Sequence, residues 1–183
     1  MIWIVLIWGT AGSTPDIAEE IRCLLLQNYQ VNVNMTRESD KYVKLSERAR
    51  MANDWGAEYF LSIHINAGGG TGFESYVHES RRKQTVKRQE TIHPVIADAL
   101  AVRDRGQKTA NFAVLRETTI PALLTENLFI DHREDAEKLS DSRFLQQIAQ
   151  AHVTGLQKAF QLERKTEAGT DKPPETAQQP LYR

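Results

Sequence analysis

Apolar runs alternate along this chain with stretches of helical periodicity. Strand-like runs fall at 2–7, 30–36, 57–64, 72–77, 112–116 and 121–126. "IWIVLI" and "YFLSI" are almost unbroken, the mark of strands covered on both faces. Between them, Thr14 is placed to cap a helix with Pro15 at its first position, and Ile17, Ala18, Ile21, Leu24 and Leu25 form one stripe. A second helix, about 45–55, carries Leu45, Ala49 and Ala52 and stops at Gly56. A third follows His93-Pro94 with Val95, Ile96, Ala99 and Leu100. The clearest helix runs from Asp141 to Phe160, with Phe144, Leu145, Ile148, Ala149, His152, Leu156 and Phe160 on one side. Strands alternating with helices predict one α/β domain with a mainly parallel sheet flanked by helices.

Composition narrows the class. The 183 residues suffice for one domain with a tail. The charged share of 26% and net charge of −1, with both signs interspersed, argue against nucleic acid or an anionic membrane as partner. The opening "MIWIVLIWG" lacks a basic leader and is too short to span a bilayer, so it reads as a first strand and nothing in the chain encodes export. The lone Cys23 sits beside Ile21 and Leu24 and reads as a small buried hydrophobe. From about Glu163 the chain turns polar and proline-rich, the composition of a disordered linker over 163–183.

Two apolar runs end in reactive groups at the edge where open α/β sheets bind ligands: "FLSIH" in His64 and "PALLTEN" in Glu126. A neutral imidazole is a common zinc ligand, and a carboxylate beside a metal-bound water is a natural general base. The plain alternative is a hydrogen-bonded histidine and a solvated glutamate that merely close two strands. His152 reads as a core or boundary residue, and His78, His93 and His132 as surface. "RRKQTVKR" at 81–88 reads as a solvated loop, the alternative being a site for an anionic polymer.

Three blocks carry a resemblance. "TRESDKYVKLSERARMANDWGAEYFLSIHINAGGGTGFESYVH", "DRGQKTANFAVLRET" and "IPALLTENLFIDHREDAEKL" resemble successive blocks of the zinc-dependent N-acetylmuramoyl-L-alanine amidases. Within these the chain is most similar to the sporulation-type cell-wall hydrolases of bacilli. The similarity covers about 15–162. It implies an amidase-type α/β fold with a twisted mixed sheet, one catalytic zinc, and peptidoglycan as substrate, cut between N-acetylmuramic acid and L-alanine. It implies His64 as a zinc ligand and Glu126 as the catalytic glutamate. It also implies a monomer acting at the cell wall, without nucleic-acid or membrane partners. Without an export signal, such a chain is expected to be made in the cytoplasm and to act on lysis. The closing "LYR" resembles the opening of a cell-wall-binding repeat, so 1–162 is expected to be catalytic and 163–183 a linker.

The resemblance also marks departures. The family's zinc is held by a histidine in an Asp-Pro-Gly-His-Gly-Gly stretch after the first strand, a later glutamate, and the histidine of the Ser-Ile-His block. A catalytic zinc needs three protein ligands and an open position. This chain has no histidine before His64, and the family glutamate would fall at about Thr10. Asp16, Glu19 and Glu20 belong to a helix whose apolar stripe fixes how they point. Leu128 stands where a glycine is usual after Glu-Asn. The expectation is an amidase-type domain whose beginning was lost or replaced and which binds zinc poorly, the alternatives being a non-catalytic peptidoglycan-binding module or a non-functional truncated product.

Overall fold

The computed structural model describes residues 1–9, 14–39 and 41–166. In chain order the elements are β1 (Ile2–Trp8), α1 (Thr14–Asn28), β2 (Val31–Met35), α2 (Leu45–Asp54), β3 (Tyr59–Asn66) and β4 (Phe73–Val77). They continue with α3 (Lys83–Leu100), β5 (Asp104–Thr109), α4 (Ala113–Arg116), β6 (Ala122–Phe129), α5 (Arg133–Leu139) and α6 (Ser142–Phe160). The six strands form one mixed sheet in the order β2-β1-β3-β6-β4-β5. β2, β1, β3 and β6 run parallel, β4 is antiparallel to β6, and β5 is parallel to β4.

The unbroken apolar runs are explained by burial on both faces. In β1, Ile4, Leu6 and Trp8 join the larger core with α1, α3 and α6, while Val5 and Ile7 join a smaller one with α2 and α4. β3 divides likewise, with Tyr59, Leu61, Ile63 and Ile65 on the first face and Phe60 on the second. Among the described residues, the helices covering the second face are the ten-residue α2 and the four-residue α4. Thin cover there leaves the ends of β3 and β6 open to solvent on that side.

Several expectations are corrected. The apolar run 112–116 is not a strand. Phe112 is extended, and the four residues after it make α4, whose Val114 and Leu115 plug the smaller core. A short apolar run does not distinguish the two forms. α3 begins ten residues before His93 and holds Pro94 inside it, so the basic stretch 81–88 is not a loop but largely its first turns. β5 was missed because "DRGQKT" has no apolar residue, which an edge strand does not require. Cys23 is only half-buried; its Sγ lies 3.7 Å from Glu19 Oε1, and burial with that carboxylate pushes the thiol up. The chain also stays attached beyond Leu162. Gln30 N donates to Glu163 O (2.8 Å) and Lys165 N to Asn28 O (2.9 Å). The proposed linker from 167 onward, with "LYR", lies outside the described residues.

Two positions make sharp demands. Gly72, at φ 101°, opens β4, and a side chain there would collide with the Arg103 carbonyl that accepts from Phe73 N (2.9 Å). Gly72→Ala combines a disfavoured backbone with overpacking and is expected to cost roughly 3 kcal/mol. A chemical melt with unchanged stability would refute this. Inside the larger core, His152 donates from Nδ1 to Ile148 O (2.8 Å) and accepts at Nε2 from Thr125 Oγ1 (3.0 Å), as expected for a core histidine. Burial pushes it down to about 4, below its ordinary 6.5. The unfolded chain therefore binds the extra proton first. The stability this neutral imidazole confers is complete above pH 6.5 and is lost as pH falls toward 4, on the order of 3 kcal/mol. His152→Gln should flatten that part of the stability–pH curve; an equally steep acid limb would exclude this histidine as a cause.

Candidate active site

His64 and Glu126 are cross-strand neighbours. β3 and β6 pair in register with His64 opposite Glu126, and β6 and β4 pair with Glu126 opposite Glu74. Residues directly opposite share a face, so the row His64–Glu126–Glu74 crosses three strands on the thinly covered side. Both parallel strands continue beyond the row, to Asn66 and Phe129, so neither residue ends its strand. A register shift follows His64, and Leu128 adopts φ 69°, the left-handed conformation that suits the glycine expected there. Its side chain is fully buried, which holds the strained backbone in place.

Above the row lies a cleft of about 220 Å³ lined by Leu45, His64, Phe112, Ala113, Val114, Leu124 and Glu126. Its rim is apolar and open: Leu45 is 46% and Phe112 40% exposed. Glu126 Oε2 is buried without a hydrogen-bond partner among the described residues. Burial first, and the Glu74 charge second, push the Glu126 carboxyl up to about 8. His64 accepts or donates at Nε2 to Ser62 Oγ (2.7 Å), and burial with the Arg48 cation beyond pushes it down to about 4. The other ring nitrogen faces Gly9, where an added Cβ would stand 2.9 Å from Nδ1. Arg48 itself donates from Nη1 to Trp8 O (2.9 Å).

On the far side of Glu126, Glu74 is 2% exposed and fully engaged. Its Oε1 accepts from Asn66 Nδ2 (2.9 Å) and Tyr76 Oη (2.9 Å), and its Oε2 from Arg105 Nε (2.8 Å) and Lys108 Nζ. Burial opposes its charge, but these donors outweigh it and hold the carboxyl below its usual range. Sequence reading passed over this cluster. A glutamate alternating with Phe73, Ser75 and Val77 was the available signal, because it must face the opposite side from them.

The other predicted positions lie elsewhere. His93 is a correction: it is buried, with Nδ1 2.8 Å from Ser75 Oγ and Nε2 2.9 Å from Asp104 Oδ1, because α3 extends past it and packs on β4. His132 caps α5 through Asp135 N, and His78 pairs with Ser80. Asp16 and Glu19 are exposed and Glu20 half-exposed on α1. Thr10 lies outside the described residues, and positions 10–13, Thr-Ala-Gly-Ser, offer no imidazole, thiolate or carboxylate. Among the described residues no group of three or more His, Cys, Asp or Glu stands close enough to hold a metal ion. The donors among the described residues therefore do not fit a three-ligand zinc.

The fold is thus a mixed α/β sheet with a histidine–glutamate row under an open cleft. The family model of the N-acetylmuramoyl-L-alanine amidases (Amidase_3) matches residues 12–158, and the chain belongs to that family. It is 49% identical over 157 residues to the sporulation-specific N-acetylmuramoyl-L-alanine amidase of Bacillus subtilis (strain 168), covering 85% of this chain and 62% of that protein. It is 51% identical over 156 residues to the N-acetylmuramoyl-L-alanine amidase CwlM of Bacillus licheniformis, covering 85% and 62%. The chain thus spans under two thirds of the length of these relatives. The catalytic domain of CwlV, an N-acetylmuramoyl-L-alanine amidase from Bacillus (Paenibacillus) polymyxa var. colistinus, superposes with a TM-score of 0.82 at 27% identity, covering 89% of this chain and all of that one. The family is generally zinc-dependent. No helix among the described residues is long and apolar enough to cross a membrane.

Proposed function

We propose that this chain is a peptidoglycan amidase domain that cleaves the amide between N-acetylmuramic acid and L-alanine, with Glu126 as the group that moves the proton. The observation that carries the reading is Glu126 on the floor of an apolar cleft, with an unpartnered buried oxygen and a raised proton affinity. The names of its relatives support the substrate. Leu45, Phe112 and Val114 offer apolar contact to the methyl groups on either side of the scissile bond, lactyl and alanyl, while the open rim admits the attacking water to Glu126. Ionised Glu126 accepts a proton from the attacking water as its oxygen bonds to the carbonyl carbon. It returns that proton to the nitrogen as the C–N bond breaks, releasing the alanine amine. The domain acts on the cell wall as a single chain.

Zinc is the family's expected cofactor and His64 the candidate ligand at this edge, but the donors among the described residues do not complete a site and no step above runs through a metal. That incomplete set favours a second reading, a module that binds peptidoglycan without cutting it. Incubating the chain with purified cell walls separates the two. New alanine amino groups, detected with an amine-reactive dye, support hydrolysis; co-sedimentation without them supports the binding module. Absence of both amino-group release and co-sedimentation would discard both readings.

A further inference from the structure

The cations around Glu74 exceed what that carboxylate requires. Glu74 is one buried negative charge held by two positive ones, Arg105 and Lys108, and by two neutral donors. One positive charge is left over on the same sheet face as the cleft. Both cations are part-exposed, Arg105 at 26% and Lys108 at 35% of the side chain. Both are also held in place. The Arg105 guanidinium lies 4.9 Å from the centre of the Phe129 ring, and Lys108 Nζ 5.8 Å from that of Tyr76, which in turn packs edge-on against Phe112 of the cleft rim. Arg105 uses only Nε on Glu74; its terminal nitrogens carry no hydrogen bond among the described residues. The nearby carboxylates do not supply the missing anion: Asp104 is engaged by His93 and by Gly106 N, and Glu126 makes no ion pair with either cation.

We propose that Arg105 and Lys108 form a carboxylate-binding subsite beside the cleft, which takes the α-carboxylate of the glutamyl residue following alanine in the stem peptide. The proposal rests on the amidase reading for its substrate. In peptidoglycan that glutamate is joined through its γ-carboxyl, so its α-carboxylate is free to be recognised. The reach is right. Glu126 and Glu74 sit on adjacent strands about 5 Å apart, and the cationic heads lie at Glu74 or one strand further, so the subsite is ~5–10 Å from Glu126. The alanyl and γ-glutamyl units from the scissile nitrogen to that carboxylate span about two residues, ~7 Å. A guanidinium with two unused nitrogens and a neighbouring ammonium match a carboxylate in charge and donor geometry.

The test is calorimetric titration of the intact chain with N-acetylmuramoyl-L-alanyl-γ-D-glutamyl-L-lysine and with the same compound bearing an α-carboxamide. The acid is expected to bind roughly ten- to a hundredfold more tightly at low salt, with the preference shrinking as salt is added. The double variant Arg105→Gln/Lys108→Met should lose the preference while still binding the carboxamide. Lys108→Met alone, which leaves the Arg105–Glu74 pair to hold the fold, should reduce the preference and decides the matter if the double variant does not fold. Equal affinity of the parent chain for acid and amide, or an undiminished preference in Lys108→Met, overturns the subsite and leaves the amidase reading standing. Failure of both compounds to bind the parent chain overturns the peptidoglycan reading and the subsite with it.

Discussion

Glu126→Gln is expected to lower the release of alanine amino groups from cell walls by about 10²–10⁴-fold, the usual contribution of a positioned general base. The substitution keeps the size and shape of the side chain, and only the ability to carry a proton is removed. The fold should not suffer, because among the described residues Glu126 contributes no ion pair and leaves one oxygen unpartnered beside the Glu74 carboxylate. A buried carboxyl with a like charge next to it and no donor is a cost to the folded state, not a support. The variant should therefore melt no lower than the parent while turnover falls. That combination separates a proton carrier from a residue that merely closes the strand. A rate within a few-fold of the parent's would remove Glu126 from the chemistry, and a lower melt would mean that its buried oxygen has a partner after all.

What could be read from the chain followed burial. β1, β3 and β6 are buried on both faces, so their apolar runs have little polar interruption, and His64 and Glu126 stand out as the exceptions within them. The row itself was legible only as two isolated residues. Their pairing depends on strand order, and β6 inserts next to β3 across 55 intervening residues that no local pattern links. The polar strand β5 and the Glu74 cluster were missed for a related reason. An edge strand needs no apolar alternation, and Glu74 becomes significant only when Arg105 and Lys108 arrive from that strand. His93 was misread because a proline ordinarily ends a helix, whereas α3 carries Pro94 through its interior under packing from α6 and β4. The basic residues at 81–88 hid the same helix, since their long side chains keep their charge at the surface while the turn beneath packs.

Replacing residues 1–14 with a segment carrying the family's first strand, its Gly-His-Gly-Gly turn and its downstream glutamate is expected to let the chain retain one zinc through dialysis against a mild chelator. The chain as it stands should retain none. The geometry for such a graft is already present. β1 is sandwiched between β2 and β3, with Ile4 to Trp8 opposite Tyr59 to Ile63 and Ile2 to Leu6 opposite Val31 to Met35. A grafted strand that keeps those two registers keeps the turn after it in place. Gly9 N donates to Ile63 O (2.9 Å), and a Cβ at Gly9 would stand against the His64 ring, so the chain leaves β1 directly beside the imidazole. Loss of an outer partner alone typically lowers metal affinity about 10–100-fold, and loss of whole ligands lowers it further. Supplying two should therefore raise affinity by more than about a hundredfold. His64→Ala in the grafted chain should reverse the gain, because a three-ligand shell with an open position no longer exists. Metal content after dialysis, measured alongside circular dichroism on all three proteins, reads the result without relying on activity. Zinc held at one equivalent by the ungrafted chain would mean that donors outside the described residues complete the site. A folded graft without zinc would mean that the neighbourhood of His64, with Arg48 hydrogen-bonded to Trp8 O beside it, no longer accepts a metal.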